Sequence, residues 1–109
     1  MTREEHFKAL HNLHEPIRKQ QIRTNAIGEK YGARSQEYKL ECKKEAQLIC
    51  SLILPEWELW CEFCETLYLE TVAQGKKDFA LKSIIDMGKN MDEQSKPAWR
   101  KLYLKIKSA

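Results

Sequence analysis

The 109-residue chain has only four glycines and three prolines. So little turn material cannot serve a fold of many short strands, and it points instead to long helices with few connections. Also missing are a Gly-rich phosphate loop, a Gly-x-Ser-x-Gly elbow and any cysteine and histidine pairing in a recognisable context. No Glu-x-x-His motif occurs, which argues against a di-iron bundle. With none of these signatures, no catalytic residue, metal ligand or cofactor is assigned from the sequence. The first 16 residues, MTREEHFKALHNLHEP, carry charges throughout and lack the apolar run and small-residue cleavage site of a signal peptide. The expectation is a cytoplasmic protein, in which Cys42, Cys50, Cys61 and Cys64 are reduced thiols rather than a disulfide framework.

The other conspicuous absence is of Lys and Arg between Leu48 and Val72, where aliphatic, aromatic and cysteine residues crowd together. About 20 apolar residues span a bilayer, so the stretch raises the question of a membrane helix. Glu56, Glu58, Glu62, Glu65 and Glu70 answer it, because each carboxylate in hydrocarbon costs about 2.5 to 3.5 kcal/mol. Pro55 interrupts the run as well. Its ring disfavours the helical region at Leu54 and is well tolerated in a first turn, so one helix is expected to end near Leu54 and another to begin near Pro55.

What is present fits a single all-α domain over residues 1–109, a bundle of four to six helices. Thr2 with Glu5 forms a capping-box pattern, and Phe7, Leu10, Leu13, His14 and Ile17 follow as an amphipathic stripe. Pro16 kinks this helix or starts the next, which runs to Tyr31 and Gly32. Its inward stripe passes through Gln21, Thr24 and Gly28, poor core residues, so this segment is expected to be covered by something other than the chain itself. Ser35 caps a helix carrying Tyr38, Cys42, Ala46, Ile49 and Ile53, whose last two turns, with Leu48, Leu52 and Leu54, should be buried on several sides. After Pro55, Trp57, Trp60, Cys61, Cys64, Leu67 and Tyr68 share one face and Glu58, Glu62 and Glu65 another, and Gln74 and Gly75 end the helix. Asp78 is expected to cap a helix bearing Ala80, Leu81, Ile84, Ile85 and Met87. Ser95, Lys96 and Pro97 start a last helix with Trp99, Leu102, Tyr103 and Ile106 on its apolar edge.

Charge is unevenly distributed. Residues 1–34 hold 7 basic and 4 acidic side chains, residues 35–74 hold 3 and 8, and residues 75–109 hold 9 and 4, for a net +3. Pairing between acidic middle and basic ends accounts for the pattern most simply.

Cys61-Glu-Phe-Cys64 is the sharpest motif, since Cys-x-x-Cys serves redox dithiols and half of a zinc site. Its mid-helix position beside tryptophans and the lack of a second ligand pair favour buried core thiols. His11 and His14, three residues apart, lack an obvious third ligand, and His14 on the apolar stripe is read as a hydrogen-bonded packing histidine. Two surfaces remain. A protein partner would meet Gln21 and Thr24 or the strip Glu58, Glu62 and Glu65. A nucleic acid would meet Lys19, Arg23 and Lys30 or the terminal-helix residues Arg100, Lys101 and Lys105, through counterion release. The leading expectation is a small protein that binds a protein partner as adaptor, regulator or inhibitor, without catalysis. The alternative is a nucleic-acid-binding regulator. Apolar residues outside the main stripes, Leu48, Leu52, Leu59 and Phe63, leave a two-fold homodimer open.

Overall fold

Short-range signals set most of the helix ends. In the computed structural model, which describes residues 1–109, the Thr2 hydroxyl accepts from the Glu5 amide at 3.1 Å and starts α1, Arg3–Leu13. Pro16 sits in the first turn of α2, Glu15–Tyr31, where its missing N–H costs nothing. Gly32, at φ 92°, turns the chain back, and Ser35 caps α3 by accepting from the Tyr38 amide at 3.1 Å. Helix α3 runs Gln36–Ala73, α4 Lys77–Gly88 and α5 Lys96–Ser108. The fold is all-α, with five helices and no strand. No helix is long and apolar enough to cross a membrane.

Helix α3 overturns the expected break at Pro55. The chain passes through the proline as one helix of 38 residues. A proline in a helix interior removes one backbone hydrogen bond and crowds the carbonyl four residues back, at about 3 kcal/mol. Packing along both sides of α3 offsets that cost. Helices α1 and α2 run antiparallel to it on one side: the amino terminus meets Thr66 at 2.6 Å, His14 bonds Glu56, and Gln20 reaches Glu41 at 2.6 Å. Helices α4 and α5 cover a second side near its C-terminal end. Helix α4 likewise starts one residue before the expected cap: Lys76 occupies the N-cap and Asp78 lies in the first turn, where a carboxylate still favours the positive end of the helix dipole.

The core is small and lies at one end. Cys61 and Cys64 of α3, Ala80 and Ile84 of α4, and Trp99, Leu102 and Ile106 of α5 form it, with Trp57, Tyr68 and Val72 packed around. Two indole N–H groups pin it: Trp99 donates to the Ile84 carbonyl at 2.7 Å and Trp57 to the Ser95 carbonyl at 2.9 Å. Gly88 lets α4 approach α5, because a Cβ there would come within 3.1 Å of the Trp99 ring.

The other end of α3 projects with α2 as a two-helix arm. The molecule measures 61 × 29 × 15 Å with a radius of gyration of 19.1 Å, against about 13 Å for a compact chain of this size. Ile49, Ile53 and Leu54, expected to be buried on several sides, are exposed on the arm. Cys50, in the same two turns, is exposed too. The chain has only α4 and α5 to lay over this side of α3, and they end at the level of Trp57.

Candidate protein-binding site

Between α2 and α3 the seam of the arm is polar. Thr24 and Glu41 are its two buried residues. Gln20 donates to Glu41 Oε2 at 2.6 Å and to Thr24 Oγ1 at 3.2 Å, while Arg23 and Lys44 reach Glu41 Oε1 at 3.3 and 3.2 Å. The Gln20 hydrogen bond, with Lys44 and Arg23, holds the Glu41 carboxyl below its ordinary range. The expectation that something other than this chain covers Thr24 is therefore overturned. Thr24 is buried within the seam, its hydroxyl donating to the Gln20 carbonyl at 2.8 Å, and Gln20 in turn bridges it to the Glu41 carboxylate of α3. Gln21 remains exposed on the outer side of α2.

The acidic strip also meets the chain itself. Glu58, Glu62 and Glu65 line a cleft of about 350 Å³ between α3 and α5, facing Lys101 and Lys105 across Cys61 and Leu102. Lys105 bonds Glu65 at 3.1 Å, and no ion pair engages Glu58 or Glu62. The basic residues are distributed rather than gathered. Lys19 lies 4.0 Å from Glu15, Arg23 is paired with Glu41, and Lys30 stands 5.2 Å over the Tyr31 ring. Arg100 lies on a different cleft, about 460 Å³ between α4 and α5, beside Lys89, Lys96 and the exposed Ile85.

Cys61 and Cys64 are buried in the core, where burial pushes both thiols up to about 11, with Cys64, Glu58 and Glu62 adding to the shift at Cys61. Thiolate is the nucleophile and the metal ligand, so these sulfurs are held in the inert form. Nowhere do three His, Cys, Asp or Glu side chains converge as a metal-binding group. His14 bonds Glu56, as its position on the apolar stripe suggests, and His11 stands apart, exposed.

The surface that sequence reasoning missed is aromatic. The His6 ring stacks on Phe63 with centroids 4.8 Å apart, meets Trp60 edge-on at 6.1 Å and lies 6.3 Å from Phe7. Trp60 is thus turned away from Trp57 and the cysteines, towards α1. Phe7 is 62% exposed and Trp60 41%, and Leu67, seven residues beyond Trp60 on the same stripe, is 44% exposed. The spacing of Trp60, Phe63 and Leu67 was visible in the sequence. That His6 of α1 would pack on Phe63 and Trp60 was not, because this depends on where α1 docks.

Fold and surface define an all-α helical bundle organised on one spine helix, with an aromatic cluster open at the α1/α3 edge. No protein-family model, no curated protein and no solved structure matches the chain.

Proposed function

We propose that this protein acts by binding a protein partner, as an adaptor, regulator or inhibitor, through the aromatic cluster of α1 and α3. One observation carries the reading: the rings of His6, Phe7, Trp60 and Phe63 form one cluster across α1 and α3, and Phe7 and Trp60 in it are exposed, on a chain that buries only nine residues. Contiguous exposed apolar surface marks interaction sites, and aromatic anchors on a rigid element supply most of the energy of a typical interface. Helix α3, held by neighbours on two sides, is such an element. The acidic strip is secondary here, since α5 already lies against it.

The nucleic-acid reading has less support. Lys19, Arg23 and Lys105 each face a carboxylate of the chain, which would have to be displaced before a phosphate could take its place. Affinity capture from the native cell with mass spectrometry separates the two. A single stoichiometric protein retained by wild type and by Lys19→Glu/Lys30→Glu, but lost with Phe7→Ala/Trp60→Ala, supports protein binding. Retention by the aromatic variant, with salt-sensitive nucleic acid lost from the charge variant, refutes it.

A further inference from the structure

On α3, Lys43, Cys50, Trp57 and Cys64 recur every seven residues and so lie along one side of the helix. In the C-terminal half, α4 and α5 cover that side, where Cys64 belongs to the core and Trp57 packs against it. In the N-terminal half the same apolar side continues bare. Ala46 and Cys50 are exposed, Ile53 is 62% exposed and Leu54 46%. The bare segment runs from Ala46 to Leu54 and its midpoint is Cys50. Charges at its two ends are opposite. Lys43, with Lys39 one turn earlier, joins no ion pair of the chain. At the other end lies the loop before α5, fixed at the level of Trp57 by the bond from that indole to the Ser95 carbonyl. It presents Asp92 and Glu93, the latter bound to Lys96 yet 90% exposed.

We infer that a second copy of this chain docks here, two α3 helices crossing antiparallel about a two-fold axis at Cys50. The symmetry follows from the register. Lys43 lies seven residues before Cys50 and Trp57 seven after it, so the axis carries Lys43 of one copy to the acidic loop of the other, twice. A closed two-fold interface requires this kind of self-complementarity. Ile53 and Leu54 meet the partner's Ala46 and Cys50, large residues against small, which lets the two helices approach closely. The surface differs from the Phe7 and Trp60 cluster, and the inference stands without that reading.

Light scattering after size exclusion, over a dilution series, tests it. Wild type should approach twice the 12.9 kDa of one chain at high concentration. Leu54→Glu, an exposed position, should remain monomeric with an unchanged circular dichroism spectrum and the melt of dilute, monomeric wild type. Lys43→Glu and Glu93→Lys should each weaken the dimer about tenfold or more, and the double exchange should restore it, a recovery that misfolding would not produce. A short bismaleimide should join two wild-type chains and fail to join Cys50→Ser chains. Phe7→Ala should leave the mass unchanged. A monomer at all concentrations, a dimer indifferent to Leu54→Glu, no recovery in the double variant, or a cross-link that survives Cys50→Ser would each overturn the inference.

Discussion

Replacing Pro55 by alanine separates a continuous α3 from two helices meeting at the proline, because the two arrangements predict opposite signs. In a helix interior, proline is about 3 kcal/mol less favourable than alanine. Here the carbonyl left without its donor is that of Ser51, whose own hydroxyl is turned instead to the Leu48 carbonyl at 2.7 Å. Alanine restores the donor. Against this, Pro55 is half-buried, and losing two half-buried ring methylenes costs about 0.8 kcal/mol. The looser denatured chain costs roughly another 0.4 to 1 kcal/mol. The net is a stabilisation of about 1.5 kcal/mol, or a rise in Tm of roughly 5 to 10 °C. Were Pro55 in the first turn of a separate helix, no hydrogen bond would be regained and the last two effects would remain, lowering Tm by a similar amount. Urea unfolding and calorimetry read the sign directly. A less stable Pro55→Ala would refute the continuous spine.

Gly28→Ala should lose about 1 kcal/mol rather than gain from helix propensity, because the new Cβ would meet the Tyr38 ring at 2.9 Å; the urea midpoint reads it. Trp99→Phe keeps most of the ring but leaves the Ile84 carbonyl without its indole donor, and should cost about 1 to 3 kcal/mol by the same assay. The folded state holds Cys61 and Cys64 neutral up to about 11, above an ordinary thiol value of 9.0. The native protein therefore keeps protons that the unfolded chain releases, and stability should fall as pH rises from 9 towards 11. Cys61→Ala/Cys64→Ala should flatten that decline in urea titrations run across the range.

What the sequence made legible was local. The hydroxyls of Thr2 and Ser35, Gly32 and Gly75 at positive φ, and Pro16 and Pro97 in first turns act through their immediate neighbours, and each marks a helix end. Cys61, Cys64, Trp99, Leu102 and Ile106 were legible as core because helical spacing aligns them. Pro55 was misread because a local preference met packing along both sides of α3. Thr24 was misread because the group that completes its polar seam, Glu41, lies across a hairpin and is joined to it only through Gln20, with Arg23 and Lys44 also on the carboxylate. The bare side from Ala46 to Leu54 looked like core since apolar spacing says that a face is to be covered but not by which chain. The aromatic cluster escaped notice for a related reason: Phe7, Trp60 and Leu67 are ordinary members of amphipathic stripes until the docking of α1 leaves them open.

The proposal of protein binding through that cluster is tested most directly by the affinity of a captured partner for wild type and for Phe7→Ala, measured by titration calorimetry. Phe7 is largely exposed, so its loss should leave the melt unchanged. The account predicts a dissociation constant at least about tenfold weaker, as for the loss of a hot-spot aromatic. An unchanged constant would contradict it.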